Sequence, residues 1–410
     1  MTERRLRLGI AGLGRAFSLM LPTLVQDARI EIVAGADPRP EARDRFRQDF
    51  AGRAYERVAD MCADAAVEAV YVSTPHQYHR DNVEAAAAAG KHILCEKPMA
   101  LSVVDCRAMI EAASRAGVAL VVGHSHSFDA PVRRAREIIE SGAVGDLRMM
   151  SALNYTDFIY RPRRPEELDT AQGGGVIFNQ APHQVDVLRF IGGGMVKSVR
   201  AATGVLDKAR RTEGAYTAFL TFENGVSASL TYSGYAHFDS DELVDWINEG
   251  GLPKNPDNYG AARRALSQAS EADELALKAA SNYGGRRYGS DPRVSAKLSD
   301  MPGQRWHQNF GLLIASCEHA DLRPTSKGVL VYGDQERRLE PVPVPPVPRM
   351  EVIDELYAAV TEDRPPVHDG AWGLATMEVC FAILQSAREG QEVTLSHQVP
   401  VPPLGAYRGE

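Results

Sequence analysis

A strand that runs into Gly12-Leu13-Gly14 and then into a helix constrains this chain more than any other stretch. "RLRLGIAGLG" alternates charged and aliphatic residues and then sheds its side chains, the pattern of a strand entering a tight turn. "SLMLPTLVQ" continues with helical character, and "IEIVAGADP" reads as a second strand ending in Asp37. The alternation repeats through "EARDRFRQDF", "VEAVYVSTP", "HRDNVEAAAAAG", "HILCEKP", "SVVDCRAMIEAASRAG" and "VALVVGHSHSF". Strands alternating with helices in this way predict a parallel sheet covered on both faces. Bare glycines at the first strand-to-helix turn let a pyrophosphate reach backbone N–H groups and the positive helix end. Asp37, about 20 residues further on, is placed to accept from ribose hydroxyls.

These features predict a Rossmann dinucleotide-binding domain over residues 1–125. One position departs from the usual fingerprint: Phe17 stands where glycine or alanine packs the helix onto the sheet. Asp37 repels a ribose 2′-phosphate and favours NAD, whereas Arg39 beside it is able to accept that phosphate; the reading leans to NAD over NADP. With 410 residues, the chain exceeds the size at which one core usually splits, so a second domain is expected over 126–410. Lysine plus arginine total 46 against 54 acidic residues, and the net charge of −8 argues against a nucleic-acid footprint. The partner is therefore expected to be a small molecule. Cys62, Cys95, Cys106, Cys317 and Cys380 are dispersed without paired spacing, which suits reduced thiols and a cytoplasmic location. No apolar run approaches the roughly 20 residues of a membrane helix.

"STPHQYH" (73–79), "CEKP" (95–98) and "GGGVIFNQAPHQVD" (173–186) together resemble the Gfo/Idh/MocA oxidoreductase family, as does the closing "DGAWGLATMEVCFAILQSAREGQEV". The resemblance implies dinucleotide contacts at Gly12, Leu13, Gly14, Arg15, Ala16, Phe17, Asp37, Ser73, Thr74, Pro75, His79, Glu96 and Lys97. It also implies that Lys97 lies beside the nicotinamide and takes part in proton transfer, with His183 as the second acid–base candidate. A hydride leaves a carbinol carbon only as its hydroxyl proton is withdrawn, so such a base is required. The family commonly carries aspartate four residues before that histidine. Here the residue is Asn179, which orients an imidazole but relays no proton. Homodimers or homotetramers are the implied assemblies.

The second domain is expected to be α/β with an open, mostly antiparallel sheet, from "LRMMSALNY", "KSVRAATGVL", "GAYTAFLTF", "GVSASLTYSG" and "GVLVYG". Residues 235–310 read as an insertion: a lid, an oligomer contact or a solvated excursion, with a second arginine pair in "NYGGRRYG". "EPVPVPPVPR" reads as an extended connector. His76, His79, His124 and His126 lack an accompanying carboxylate set, so no metal is expected.

"FIYRPRRPEE" places Arg161, Arg163 and Arg164 in an acidic chain, within a stretch that borders the active site in the resembled family. A guanidinium matches a carboxylate bidentately. With Tyr155, Tyr160 and Phe158 as flat walls and His126 nearby, these arginines are candidate substrate contacts. The set suits a ring carboxylate better than a sugar. The expected activity is NAD-dependent oxidation of a carboxylated aromatic cis-dihydrodiol to a catechol. The rivals are a sugar or polyol dehydrogenase, an NADH-dependent reductase or dehalogenase of a substituted ring, and a nucleotide-sensing binding protein.

Overall fold

The computed structural model describes residues 4–123, 125–235, 237–285 and 305–402. His124 and the "GRRYG" arginines lie outside the described residues. The described residues fall into two compact units. Those within 1–124, 275–302 and 345–374 form one, and those within 125–274, 303–344 and 375–410 form the other.

The first unit carries six parallel strands: β1 (Leu6–Ala11), β2 (Ile30–Ala36), β3 (Arg53–Tyr55), β4 (Ala69–Val72), β5 (His92–Cys95) and β6 (Leu120–Val122). Their order is β3-β2-β1-β4-β5-β6, with the reversal of direction at β1 and β4. Such a switch point is where parallel sheets open a crevice for a ligand. Short aliphatic runs such as Leu6, Leu8 and Ile10 are fully buried, as strands covered on both faces require. The helices are α1 (Arg15–Gln26), α2 (Pro40–Phe50), α3 (Val58–Cys62), α4 (His79–Ala88) and α5 (Val103–Ala116). Ser102 caps α5 by accepting from the Asp105 N–H at 3.0 Å.

Phe17, read as a threat to close packing, is instead a core residue. Its ring is fully buried and stands edge-on to Tyr283 at 5.0 Å and to Phe50 at 6.4 Å. The Tyr283 hydroxyl donates to Asp49 at 2.6 Å and fixes that wall from α2. Tyr283 belongs to the stretch expected as an insertion of the second domain, yet it completes the core of the first unit. The two units do divide at residues 124 and 125, but the second is not contiguous, because the chain returns to the first unit in 275–302 and 345–374.

The second unit opens with α6 (Ala130–Glu140), followed by α7 (Gly175–Asn179) and α8 (Ala181–Gly192). Its strands are β7 (Leu147–Tyr155), β8 (Val196–Gly204), β9 (Ala215–Phe222), β10 (Ser227–Ser233), β11 (Leu312–Cys317), β12 (Ala320–Thr325), β13 (Gly328–Gly333), β14 (Arg337–Pro341) and β15 (Val393–Thr394). They form one sheet in the order β14-β13-β12-β11-β7-β10-β9-β8-β15. Only β7 and β10 pair in parallel; the other pairings are antiparallel. Thus the fold is α/β, with a parallel and a mostly antiparallel sheet. The front of the proline-rich stretch, Glu340–Pro341, is strand rather than connector, because β14 pairs with β13. Later helices are α9 (Ala261–Ser267), α10 (Glu271–Ala280), α11 (Met350–Thr361) and α12 (Gly370–Glu389). Among the described residues no helix is long and apolar enough to cross a membrane.

Every residue of α8 is buried. Arg189, fully buried, donates to Thr376 Oγ1 at 2.7 Å and to Gln398 Oε1 at 3.0 Å. A buried guanidinium needs such partners to offset its desolvation. This strut ties α8 to the C-terminal segment.

Candidate active site

In the first unit, Gly12 adopts φ +92°, and a Cβ there would sit 2.8 Å from the Thr74 nitrogen. Only glycine lets this turn pack so closely on the Thr74 backbone. Ser73 seals it from the next strand, its Oγ donating to the Gly12 carbonyl at 2.8 Å. Gly14 precedes the first turn of α1, whose exposed N–H groups favour an anion, and Arg15 and Ala16 are half-buried beside it. Asp37 accepts the Leu13 N–H at 2.9 Å, which locks the turn to the end of β2. Arg39 grips the same carboxylate with two nitrogens, at 2.9 and 3.1 Å, and also donates to the Leu13 carbonyl at 2.6 Å. The charge that argued for NAD is therefore already paired.

His79 does not present its ring as an open contact. It is fully buried, with Nε2 2.9 Å from the Thr74 carbonyl and Nδ1 3.0 Å from the Pro98 carbonyl. Burial holds this imidazole below its ordinary pKa although those carbonyls pull the other way. The ring ties the Ser73–Thr74–Pro75 turn to the turn after β5, which bears Glu96, half-buried Lys97 and a cis Lys97–Pro98 bond. Glu96 is buried and accepts the Tyr71 hydroxyl at 2.5 Å. Burial raises its pKa, against the pull of Lys97 and that hydrogen bond. Tyr71 was missed as a contributor because it reads as one more apolar strand residue.

In the second unit, Asn179 donates to the Gly175 carbonyl at 2.7 Å and to the Gly173 carbonyl at 3.1 Å. Its amide closes the triple-glycine turn that leads into α8, a task a carboxylate cannot perform because it has no N–H. His183 is buried near the start of α8. Its ring meets His126 at 4.9 Å and Phe310 at 4.9 Å. His126, also buried, has Nδ1 2.6 Å from Asp129 Oδ2 and Nε2 3.8 Å from Glu249 Oε1. Burial opposes its charge, yet Asp129 and Glu249 push its pKa up to about 9. Ser127 donates to Asp186 on α8, which holds the His126 turn to that helix. Asp129 lies at a His-x-x-Asp spacing and was legible in principle; Glu249 and Phe310 arrive from far along the chain.

The three arginines have different fates. Arg164 pairs with Glu166 at 3.2 Å and with Glu167 at 3.4 Å. Arg163 is 9% exposed, stacks 3.7 Å over the Phe158 ring and donates to the Phe158 carbonyl at 2.8 Å. Burial draws its pKa down to about 10. Both serve the loop's own structure. Arg161 bonds Asp157 at 2.9 Å with its side chain 41% exposed. Burial opposes its charge, but Asp157 and Glu249 more than offset this and hold its pKa above the ordinary value. It also lies within electrostatic reach of Tyr232, which stacks on Phe310 at 6.0 Å. Tyr160 donates to Asp207 at 3.1 Å beneath Arg263, and Tyr155 meets Phe238 edge-on at 5.9 Å. Arg161, His126 and His183 are thus gathered around Glu249, whereas Tyr160, Arg163 and Arg164 are engaged elsewhere.

A glycine-turn nucleotide cradle in one unit and a buried histidine pair on a second, open sheet define an oxidoreductase with an NAD-binding Rossmann domain. Residues 6–124 match the family model described as "Oxidoreductase family, NAD-binding Rossmann fold", and residues 132–247 match the GFO/IDH/MocA C-terminal domain. The chain belongs to the Gfo/Idh/MocA family. It is 45% identical over 385 residues to a 1-carboxy-3-chloro-3,4-dihydroxycyclohexa-1,5-diene dehydrogenase of Comamonas testosteroni, covering 93% of this chain and 95% of that one. A crystal structure from Bordetella bronchiseptica RB50 superimposes with a TM-score of 0.88 at 43% identity, over 95% of this chain and 100% of that one. The WlbA dehydrogenase of Bordetella pertussis, solved with NADH and UDP-GlcNAcA, shares the fold at a TM-score of 0.66 and 22% identity, over 96% and 99% of the two chains.

Proposed function

We propose that the protein is an NAD-dependent dehydrogenase that oxidises a carboxylated cyclohexadiene cis-diol, of the phthalate 4,5-cis-dihydrodiol type, to the catechol. The observation that carries this reading is the gathering of half-exposed Arg161 with His126 and His183 beside the flat faces of Tyr232 and Phe310. A guanidinium holds a ring carboxylate by paired hydrogen bonds, and aromatic faces suit a planar diene better than a pyranose. The substrate class named for the Comamonas relative supports the same choice.

The glycine turn fits a dinucleotide, since open space stands where a Cβ would project from Gly14, just before the first turn of α1. When bound, the dinucleotide supplies the hydride acceptor. Lys97, on the turn that His79 fastens and directly after buried Glu96, takes the proton of the reacting hydroxyl. Loss of one hydride and one proton turns the carbinol into a ketone, and the hydroxydienone tautomerises to the aromatic catechol. Arg161 and His183 orient the ring and its oxygens. Asn179 maintains the turn and moves no proton, and a reaction drawn onward by aromatisation tolerates that. NAD is the favoured cofactor, with NADP use set by Arg39.

The test is NADH formation, followed by absorbance, across carboxylated cis-dihydrodiols, their decarboxylated analogues, inositols and sugars. Turnover should be greatest on the carboxylated dienes. Turnover of an inositol or a sugar with none on the dienes would overturn the substrate assignment.

A further inference from the structure

We propose that His126, His183 and Glu249 form a binding site for one divalent transition-metal ion of the Zn²⁺ or Fe²⁺ class, with coordination positions left open. Each residue offers one donor atom, and the three atoms lie within 4.8 Å of one another. Donors about 2.0–2.2 Å from a shared ion at tetrahedral angles are about 3.4 Å apart, so ligation draws these side chains inward by up to about 1.4 Å. The His126 Nε2 to Glu249 Oε1 separation of 3.8 Å is already close to that spacing.

The surroundings are those a metal site requires. Nδ1 of His126 donates to Asp129 at 2.6 Å, which fixes the ring so that Nε2 faces Glu249; a metal ion there takes the place of the Nε2 proton. A carboxylate behind a ligating imidazole is the common outer support of such ligands, fixing ring orientation and tautomer. Phe310 packs against both rings, at 5.1 Å for His126 and 4.9 Å for His183, and restricts their rotation. His126, Asp129, Gln184 and Phe310 also line a cavity of about 490 Å³, open space included. Two imidazoles with one carboxylate prefer a borderline transition ion to Mg²⁺ or Ca²⁺, which take oxygen donors.

The expectation of no metal rested on the lack of a clear carboxylate set beside the histidine spacings and on a family resemblance that needs no metal, although Asp129 lies three residues from His126. The fold supplies the ligating carboxylate from the "NEGG" turn. Binding of the ion stands on this geometry alone. Its role rests on the diol reading above: three protein ligands leave positions for the vicinal hydroxyls, and a coordinated hydroxyl loses its proton more readily.

The full-length protein should be stripped with a chelator and titrated with Zn²⁺ by calorimetry, with metal content measured after gel filtration. One Zn²⁺ per chain is expected, and Co²⁺ in its place should give visible absorption bands of nitrogen–oxygen coordination. Glu249→Gln should weaken Zn²⁺ binding more than about 100-fold, and Asp129→Asn about 10- to 100-fold, with NADH binding retained as the check on folding. Absence of Zn²⁺ binding to the wild-type chain, or equal affinity in Glu249→Gln, would overturn the site. Full diol oxidation by chelated protein would remove the catalytic role. Zn²⁺ binding without any diol oxidation would instead remove the substrate reading and leave the site standing.

Discussion

The two units build their binding surfaces by opposite means. In the first, function lies in backbone turns, each pinned by one nearby side chain: Gly12 by Ser73, Leu13 by Asp37, the Lys97 turn by His79. In the second, the candidate site consists of side chains from remote segments, His126, His183, Glu249 and Phe310, held by struts such as Arg189 and Asp186. Backbone cradles suit a cofactor whose phosphates are the same for every family member. Side-chain clusters are changed one residue at a time, and they suit the part that chooses a substrate. The difference teaches where specificity resides.

The proposed function puts the proton step in the first unit, and Lys97→Ala is the way to break it. This variant should lose about 10²- to 10⁴-fold in kcat, the usual contribution of a general acid–base group, while NADH binding measured by fluorescence is little changed. Turnover close to wild type would move the proton path to His183 in the second unit.

Legibility in the sequence follows the same divide. Gly12, Asp37 and the strand–helix rhythm are local features, set by neighbours a turn or a strand away, and composition alone exposes them. Phe17 was misjudged because its partner Tyr283 comes from a segment that returns late in the chain. His79 carries the resemblance, yet its two ring nitrogens face backbone carbonyls, and no sequence pattern reveals where a carbonyl points. Glu249 sits in a polar, turn-rich stretch with nothing to mark it until folding brings it to His126. The arginine run was visible, but its division into stacked Arg163, paired Arg164 and half-exposed Arg161 depends on Phe158 and Glu167 holding two of them.

That division sharpens the comparison at the substrate side. Arg161→Lys should raise KM for a carboxylated diol by about 10- to 150-fold, the worth of one charge-assisted hydrogen bond, and should spare the decarboxylated analogue. Arg164→Lys, whose partners are Glu166 and Glu167, should leave that ratio unchanged. Steady-state kinetics on both substrates decides the matter, and equal effects of the two variants would dissolve the distinction between them.

In the first unit the choice of cofactor is the one decision resting on a side-chain pair. Arg39 neutralises Asp37 and is the group able to meet a 2′-phosphate. Arg39→Ala should lower kcat/KM with NADP about 10-fold and affect NAD less, because the released Asp37 then faces the ribose unpaired. An unchanged NADP-to-NAD ratio would show that selection lies outside this pair.

The smallest effect concerns the supports of the second unit. Glu378 on α12 accepts the N–H groups of Ser396 and His397 at 2.8 and 2.9 Å and the Gln398 amide at 2.8 Å, and so anchors the segment that also holds Arg189. Burial alone would raise its pKa, but these donors bring it below the ordinary carboxylate value. A group whose pKa is lower in the folded state stabilises that state above its unfolded pKa of about 4.3, and the contribution disappears as pH falls through the folded value. Glu378→Gln should therefore speed amide exchange at Ser396 and His397 near neutral pH by an amount equivalent to about 0.5–1.5 kcal/mol. The gap to wild type should close as the pH falls through the lowered folded pKa of Glu378, where the wild-type carboxylate is itself protonated. A gap that persisted unchanged in acid would assign the anchoring to the shape of the side chain rather than to its charge.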